Sequence, residues 1–210
     1  MKLLFLKRPF DFTLSLLGMI ISLPFWGLFA LLVWIEDGLP IFYRQKRMGK
    51  DRREFTVLKF RTMINNADRM GVWTDENDPR ITKVGRFLRR TAMDELPSLL
   101  SILKGDMSFV GPRALVVEEQ RFLEKQIPGF EKRLQVRPGL TGLAQVYNPE
   151  DEPYKKLELD LKYIEDMNFL LDIKLILLSF WNTFTARWDR RKGKKAQVAG
   201  ASDYRGGIKK

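Results

Sequence analysis

Residues 12–35 read FTLSLLGMIISLPFWGLFALLVWI, which is 24 consecutive residues without a charged side chain. A helix of this length, at about 1.5 Å per residue, is long enough to cross the hydrocarbon core of a bilayer. The stretch is too long for a cleaved signal peptide, and Glu36 and Asp37 follow it instead of a small-residue cleavage site. The sequence therefore predicts an N-terminal membrane helix.

Two topologies of this helix are compatible with the sequence, a re-entrant helix and a spanning helix. Pro24 lies in the middle of the stretch, where a proline removes one backbone hydrogen bond and favours a break next to Ser22. Basic side chains flank both ends, and the positive-inside rule would keep both ends in the cytoplasm. A re-entrant helix that dips into the membrane and returns satisfies both features. A spanning helix is the alternative, because prolines also occur in true spans.

A short charged motif precedes the apolar stretch. Asp11 follows Lys7 and Arg8 by four and three residues, so the three side chains share one face of a helix. We expect Asp11 to neutralise one of these bases at the level of the lipid headgroups, which would anchor the helix. The alternative is an ordinary surface pair, which contributes on the order of a few tenths of a kcal/mol.

The composition of the 210-residue chain excludes several kinds of chemistry. It contains no Cys and no His, so disulfides, thiolate nucleophiles, zinc clusters and histidine bases are excluded. Lys and Arg number 37 against 26 Asp and Glu, a net charge of +11, which favours a nucleic acid, an anionic membrane or a phosphorylated substrate as partner. Residues 187–210 hold nine of the bases and two acids, which predicts a disordered polybasic tail that binds anionic lipid.

The remainder of the chain predicts an α/β mixed fold, predominantly helical with a small β-hairpin or sheet. Apolar and polar residues alternate within 39–60 around a polar turn, which is typical of a half-buried hairpin. The segment 169–188 is apolar with two tryptophans and flanking bases, which suits an interfacial amphipathic helix; a core helix is the alternative. We expect further helices at 82–90, 97–104, 114–126 and 154–167, and loops at 65–79 and 137–142. The predicted units are an N-terminal membrane helix (1–38), a cytoplasmic catalytic domain (39–186) and the tail (187–210).

Residues 86–113 carry the chemistry that the sequence suggests. Pro97 belongs in the first turn of its helix, which places Asp94 near the N-cap and Glu95 one residue inside. Neighbouring carboxylates on a helix diverge by roughly 100°, so one could act as a nucleophile while the other holds a cation. Arginines surround this pair and can bind phosphate oxygens. The alternative is purely structural: an N-cap, a first-turn acid and a solvated basic face.

Four blocks of the sequence resemble the bacterial sugar transferase family, the monotopic phosphoglycosyl transferases that begin lipid-linked glycan assembly. The blocks are, in family order, KRPFDF at 7–12, LKFRTM at 58–63, DELPSLLSILKGDMSFVGPR at 94–113 and RPGLTGLAQV at 137–146. The resemblance implies transfer of a sugar phosphate from a UDP-sugar to polyprenyl (undecaprenyl) phosphate, with release of UMP. It also implies a ping-pong mechanism that uses an Asp-Glu dyad and Mg²⁺.

The resemblance implies roles for individual residues as well. Asp94 would attack the β-phosphate and hold the phosphosugar covalently, and Glu95 would coordinate Mg²⁺. The residues implied to anchor a re-entrant helix in the cytoplasmic leaflet of the bacterial inner membrane are Lys7, Arg8, Asp11, Ser22 and Pro24. The residues expected to bind substrate are Arg89, beside the acidic pair, and, by resemblance, Lys59, Arg61, Arg113, Arg137, Gly142 and Gln145.

The chain departs from the family pattern at three places. Ala114 stands where the family usually has the second proline of Pro-Arg-Pro, and we expect a looser loop that keeps its cation. Leu23 separates Ser22 from Pro24, whereas the family commonly places Ser directly before Pro. Residues 147–156 stand where the family often has an Asn-Gly-Arg stretch, so the sugar donor is left open.

Two alternatives to this enzyme activity follow from the same sequence. One is a membrane-anchored basic binding protein without catalysis, for example for nucleic acid; the other is a relative with the fold but no activity. A nucleic-acid face would interleave bases with aromatics on the folded body, whereas here many bases adjoin apolar segments or lie in the tail. We therefore expect a UDP-sugar, undecaprenyl phosphate and an anionic membrane as partners and no nucleic acid. A homo-oligomer is left open.

Overall fold

The computed structural model describes residues 4–67 and 78–185 and is mostly helical. Helix α1 spans Lys7–Asp37 and ends at Gly38, whose φ of 70° costs little for a residue without a side chain. By length and composition, α1 is the one helix in the described ranges that could cross a membrane. The predicted long apolar helix at the N-terminus is therefore confirmed.

One face of α1 is buried against the rest of the protein along nearly the whole helix. The buried positions follow the helical period and are Asp11, Ser15, Ser22, Phe29 and Val33. The other faces expose a continuous apolar surface, which is unfavourable in water and suits lipid. The most exposed of these side chains are Leu17, Ile20, Ile21, Leu23, Phe25, Leu28, Leu31, Trp34 and Ile35.

The backbone remains helical through Pro24, so the predicted break next to Ser22 does not interrupt the helix. Ser22 Oγ donates to the Met19 carbonyl at 3.2 Å and accepts from Trp26 Nε1 at 3.1 Å. Buried residues on both sides of the proline lie on one stripe, which shows that the helix keeps its phase. Packing of this stripe on the body and the Ser22 bonds support the helix where the proline lacks an N–H group.

The predicted β-hairpin is confirmed. Strands β1 (Phe42–Met48) and β2 (Glu54–Phe60) pair antiparallel, with Tyr43 opposite Lys59. Phe60 is buried and packs edge-on against aromatic rings of α1. The hairpin is thereby fixed against the long helix, and Lys59 occupies a defined position one residue before the end of β2.

A second, parallel pair of strands corrects the prediction of a loop over 137–142. Strand β3 (Ser108–Val110) pairs with β4 (Gly139–Thr141), and three residues per strand are too few to show a period in the sequence. A Cβ atom on Gly139 would lie 2.1 Å from the backbone nitrogen of Gly111, so this approach requires glycine. The glycines of this segment therefore bring two strands together.

Five helices of the body lie where the sequence predicts them, apart from shifts at their ends, whereas the short helix Leu143–Tyr147 was not predicted. Thr82 caps the second helix by accepting from the Gly85 amide, and Gly105 ends the third in a left-handed conformation, as expected. The fourth begins at Val117 instead of residue 114, because residue 116 bridges to Arg47 of β1. The helices are α2 (Lys83–Arg90), α3 (Leu99–Lys104), α4 (Val117–Gln126), α5 (Leu143–Tyr147), α6 (Pro153–Asp166) and α7 (Phe169–Phe184), with 3₁₀ turns at Met93–Ser98 and Phe130–Gln135.

The first turn of α1 is attached to β3, α6 and α7 by one half-buried lysine, Lys7. Lys7 Nζ lies 2.5 Å from Asp172 Oδ2 and donates to the Val110 carbonyl at 2.9 Å and to the Tyr163 hydroxyl at 3.1 Å. The Tyr163 hydroxyl in turn donates to Asp172 Oδ1 at 2.7 Å.

The expected pairing of Asp11 with Lys7 or Arg8 is wrong. Asp11 is buried and accepts from the Phe109 amide at 3.0 Å, while Arg8 donates to two carbonyls in the last turns of α3. Spacing along the helix is compatible with a local pair, but the packed body offers each group a separate partner. Whether the motif also contacts lipid stays a prediction.

The last turn of α1 is also fixed to the body. Glu36 accepts from the first two amides of α2, those of Lys83 and Val84, at 2.7 and 2.8 Å. Arg61 donates to the carbonyls of Asp37 and Gly38, both at 2.8 Å. Both ends of α1 therefore bind the same folded body. The predicted tail at 187–210 lies outside the described residues.

Candidate active site

The two candidate catalytic acids lie in the 3₁₀ turn Met93–Ser98, which connects α2 to α3. The N-cap of this turn is Ala92, with a left-handed φ of 56°, so Asp94 is not the capping residue that the position of Pro97 predicted. The structural alternative for Asp94, a helix cap, is thereby removed. A left-handed conformation at a residue with a side chain costs free energy and is frequent at functional sites.

Glu95 is surrounded by positive charge. Its Oε1 lies 2.5 Å from Lys59 Nζ and 3.6 Å from Arg113 Nη2. Burial alone would raise the pKa of Glu95, but Lys59, Arg113 and Arg47 outweigh it and hold that pKa well below its usual range. Glu95 is therefore ionised at any physiological pH.

Asp94 has a different environment from its neighbour. Burial is the main cause that raises the pKa of the Asp94 carboxyl, to about 6, and the charge of Glu95 adds to it. Lys59, Arg89 and Arg113 act in the opposite direction. Two adjacent carboxyls thus have well-separated pKa values, which is typical of acids with different tasks in one site.

Arg47 belongs to the same group of cations, and the sequence analysis missed it. Burial lowers the pKa of its guanidinium to about 10, with Arg113 acting in the same direction and Glu95 against it. Residues 43, 45 and 47 are half-buried, whereas Arg44 and Lys46 are exposed. The sequence feature that could have identified Arg47 is therefore its place in the strand: it alternates with Arg44 and Lys46 and lies on the face that points into the protein.

A small cleft opens beside this cluster. Glu95, rather than Asp94, lines it together with the three cations, and backbone of the β3–β4 region forms the other side. Positive charge exceeds negative charge on these walls, and a cleft of that kind attracts phosphate groups. The lining residues are Arg47, Val57, Lys59, Glu95, Ser98, Met107, Arg113, Ala114, Gly139 and Leu140.

The other predicted substrate-binding residues occupy three places. Arg89 donates to Thr62 Oγ1 at 2.8 Å and is close enough to Asp94 to interact electrostatically. Arg61 is buried and holds the last carbonyls of α1 instead of joining the cluster around Glu95, which assigns it a structural contact. The LKFRTM block therefore contains one residue that joins the charged cluster, Lys59 at Glu95, and one residue that makes a structural contact, Arg61.

The predicted nucleotide loop adjoins the segment that carries Arg113. A Cβ atom on Gly142 would lie 2.2 Å from the Gly111 carbonyl oxygen, and Gln145 Nε2 is 3.5 Å from the same oxygen. Thr141 Oγ1 and Gln145 Oε1 are buried without a hydrogen-bond partner among the described residues. Arg137 is exposed. Gly142 and Gln145 thus lie next to the Arg113 loop, and their contact with a nucleotide stays a prediction.

The carboxylates fit a magnesium ion only in combination with a substrate. Within residues 4–67 and 78–185 no three acidic side chains group closely enough to hold a metal by themselves. Mg²⁺ is commonly bound by one or two carboxylates together with substrate phosphates. Asp94 and Glu95 supply that number of carboxylates.

The sequence of this chain is similar to those of a protein family and of several known proteins. The family described as "Bacterial sugar transferase" matches residues 2–186. The chain is 38% identical over 186 residues to the UDP-glucose:undecaprenyl-phosphate glucose-1-phosphate transferase of Escherichia coli K12, which covers 85% of this chain and 40% of that protein. It is 38% identical over 201 residues to the exopolysaccharide production protein PSS of Rhizobium leguminosarum, covering 90% and 98% of the two chains.

A third relative has a different sugar in its name. The UDP-N-acetylgalactosamine-undecaprenyl-phosphate N-acetylgalactosaminephosphotransferase of Aeromonas hydrophila is 34% identical over 180 residues, which is 82% of this chain and 42% of that protein. The chain thus spans well under half of two of these relatives and nearly the whole of the Rhizobium protein. On the match over 2–186 and the full-length similarity to the Rhizobium protein, the chain belongs to the bacterial sugar transferase family.

Proposed function

We propose that this protein transfers a sugar 1-phosphate from a UDP-sugar to undecaprenyl phosphate and releases UMP. The observation that carries the proposal is the pair of carboxyls with opposite pKa shifts beside a cleft lined by Lys59, Arg113 and Arg47. Relatives named as undecaprenyl-phosphate sugar phosphotransferases support it. A basic binding protein without catalysis would have no use for this acidic pair.

Asp94 is the nucleophile in this proposal. Its carboxylate attacks the β-phosphorus of the UDP-sugar, and the bond from that phosphorus to the bridging oxygen breaks, so that UMP leaves. An oxygen of undecaprenyl phosphate then attacks the same phosphorus and releases the Asp94 carboxylate. A pKa of about 6 supports this role, because most Asp94 is ionised near pH 7. The covalent intermediate splits one difficult displacement into two in-line steps.

The basic side chains stabilise the charge of the phosphates. Lys59 and Arg113 flank the cleft, and Arg89 acts on Asp94 from the α2 side. Phosphoryl transfer depends mainly on positioning and on neutralising negative charge, and fixed cations in a partly buried site do both. These cations keep Glu95 ionised, and Glu95 partly neutralises their charge while no substrate is bound.

We propose that Glu95 and the substrate phosphates hold a Mg²⁺ ion, with Asp94 adjacent. Such an ion supplies further neutralisation of phosphate charge when it is bound. Removing divalent ions with EDTA should therefore stop UMP release, and adding Mg²⁺ should restore it.

We further propose that α1 is re-entrant and lies with both ends on the cytoplasmic side of the bacterial inner membrane. A helix that is continuous through Pro24 can still bend there, because the proline removes one backbone hydrogen bond. Thirty-one residues of helix measure about 46 Å, more than a bilayer core of about 30 Å, yet both ends bind one body. A spanning helix would draw that body across the bilayer. Single cysteines at Met1 and Lys50 should be labelled from the same side, and labelling from opposite sides would exclude re-entrance.

The exposed face of α7 supports contact with the same membrane. Leu170, Leu177, Phe180 and Trp181 are each more than half exposed on this helix. Large apolar and aromatic side chains of this kind favour the interface between headgroups and acyl chains. We propose that α7 lies at this interface beside α1, which would bring a lipid-linked acceptor phosphate to the body.

The donor sugar is left open, because the relatives name glucose in one case and N-acetylgalactosamine in another. The direct test is UMP release from a panel of UDP-sugars by the full chain with undecaprenyl phosphate and Mg²⁺. Asp94→Asn should reduce release by at least about 1,000-fold and abolish the phosphosugar adduct that mass spectrometry detects without acceptor. Asp106→Asn, at an exposed position beyond α3, is the matched control and should behave as wild type. Unchanged turnover of Asp94→Asn would exclude this nucleophile.

A further inference from the structure

We propose that Arg47 is a positioning residue for Arg113, which it fixes by holding the next carbonyl in the chain, that of Ala114. The inference rests on the proposed function, because Arg113 matters there as a ligand of the transferring phosphate. Arg47 lies on β1, outside the four sequence blocks that resemble the family. A positioning role for Arg47 would give the β1–β2 hairpin a part in catalysis.

Arg47 makes contacts on both sides of the gap between β1 and the Arg113 segment. Its Nη1 donates to the Ala114 carbonyl, while Nε and Nη2 both donate to Gln45 Oε1, at 3.1 and 2.7 Å. The Gln45 side chain thus sets the plane of the guanidinium. The backbone follows the same course, since Arg47 bridges to Val116 and the Met48 amide donates to the Leu115 carbonyl at 2.9 Å.

The preceding carbonyl, that of Arg113, is held by a second arginine. Arg133 Nη2 donates to the Arg113 carbonyl at 2.8 Å. Arg133 is itself fully buried and fixed by Asp160, whose Oδ2 accepts from Nε at 2.8 Å, and by Gln120, whose Oε1 accepts from Nη1 at 3.0 Å. Two consecutive carbonyls are therefore held by two arginines from different elements.

These hydrogen bonds act on the loop that the sequence predicts to be looser at Ala114. An alanine leaves φ unrestricted, whereas a proline at that position would fix it. Side-chain bonds to the carbonyls of Arg113 and Ala114 restrict the same segment by other means. Arg113 has a third of its side chain exposed and lies 3.6 Å from Glu95, so the position of its backbone decides where the guanidinium meets a phosphate.

A direct contact between Arg47 and the phosphate is the competing interpretation, since Arg47 also lines the cleft. Three of its five N–H groups, one on each nitrogen, already donate to protein oxygens. The hydrogen bonds that Arg47 makes therefore favour a positioning role. The two interpretations predict different behaviour when Arg113 is absent.

The first test is Arg47→Lys in the full-length protein. Lysine keeps a positive charge near Glu95 but lacks the planar fork that joins Gln45 to Ala114. We expect kcat for UMP release to fall 10- to 100-fold, on the order of a misplaced catalytic group, with a smaller change in KM for the UDP-sugar. Arg44→Lys, on the exposed side of the same strand, is the control and should be unchanged.

The second test is a double-mutant cycle with Arg113→Ala. If Arg47 acts through Arg113, adding Arg47→Lys to Arg113→Ala should reduce kcat by less than about twofold. Multiplying losses would show that Arg47 acts independently of Arg113 and would overturn the proposal. Gln45→Met leaves Arg47 in place and should reduce kcat less than Arg47→Lys does. This loss should also depend on the presence of Arg113. The variant replaces Arg47→Lys in the test if Arg47→Lys folds poorly.

Amide hydrogen exchange provides a readout that needs no activity. Arg47→Lys and Gln45→Met should speed exchange in residues 113–116 without affecting α6, and unchanged exchange in residues 113–116 would overturn the proposal. Absence of turnover by wild type with every UDP-sugar would instead refute the proposed function. The exchange comparison would then still decide whether Arg47 restrains the segment.

Discussion

Two lysine–carboxylate pairs in this protein have the same length and opposite surroundings. Lys7 Nζ and Asp172 Oδ2 are 2.5 Å apart, and so are Lys59 Nζ and Glu95 Oε1. Both pairs are largely shielded from solvent. Distance alone would assign them the same role.

The partners around each pair separate them. Lys7 uses its three donors on Asp172, Tyr163 and the Val110 carbonyl, so its hydrogen bonds are satisfied within the protein. Lys59 instead shares Glu95 with Arg113, and Arg47 adds a third positive charge beside a cleft. The first is a balanced structural contact. The second places three cations and one carboxylate on the walls of the cleft, and that local excess of positive charge is available to a phosphate ligand.

Replacing each lysine with methionine, in two separate variants, tests this difference between the pairs. Lys59→Met has the largest expected effect. Activity should fall about 100- to 1,000-fold, the usual consequence of removing one charge-stabilising donor. Its free energy of unfolding should change by less than about 1 kcal/mol, because Glu95 keeps Arg113 while repulsion among the cations falls. UMP release and thermal unfolding in detergent measure the two quantities.

Lys7→Met is the counterpart and should reverse the pattern. Removing one partner of a buried pair leaves Asp172 with Tyr163 alone and should cost about 3 kcal/mol, which lowers the unfolding midpoint by roughly 6 to 12 °C. Activity per folded molecule should stay within about threefold of wild type. A stable but inactive Lys7→Met protein would contradict the division between the two pairs.

The smallest expected effect is a gain in stability from Asp94→Asn. Burial raises the pKa of Asp94 to about 6, so the ionised form is unfavourable in the folded protein, and asparagine resembles the neutral carboxyl. At pH 8 without divalent metal, Asp94→Asn should be more stable than wild type by about 1 to 2 kcal/mol after allowance for solvent screening.

The sign of the pH dependence follows from the direction of the shift. An acid whose folded pKa is raised binds more protons in the folded state, so wild type loses stability as pH rises from about 4 through about 6. The advantage of Asp94→Asn should therefore vanish below pH 4 and be complete above pH 7. A shift of the unfolding midpoint by Asp94→Asn that is equal at pH 4 and at pH 8 would refute the account.

Local patterns in the sequence predicted much of the fold. The uninterrupted apolar stretch predicted α1, Thr82 and Gly105 marked the ends of two helices, and alternation predicted the β1–β2 hairpin. Each of these signals acts within a few residues or repeats with a short period. The β3–β4 pair was missed because three residues give no period and the glycines read as a loop.

The candidate site was predicted in part. Resemblance and spacing identified Asp94, Glu95, Lys59 and Arg113, and the structure places Lys59 and Arg113 at Glu95. Arg47 was missed and Arg61 was assigned to the substrate, although it holds the end of α1. The difference depends on which face of the hairpin meets which neighbour, and a strand sequence shows two faces without showing what covers each.

The sequence by itself determined the apolar helix, the acidic pair with its neighbouring bases and the absence of thiol and imidazole chemistry. Those properties depend on which residues are present and on their spacing along the chain. Tertiary structure alone decided that Asp11, Lys7 and Arg8 bind the body separately, that the pKa of Glu95 is held low while that of Asp94 is raised to about 6, and that Arg47 donates a hydrogen bond to the Ala114 carbonyl. Charges and hydrogen bonds act over a few ångströms in space, so residues far apart in sequence decide them.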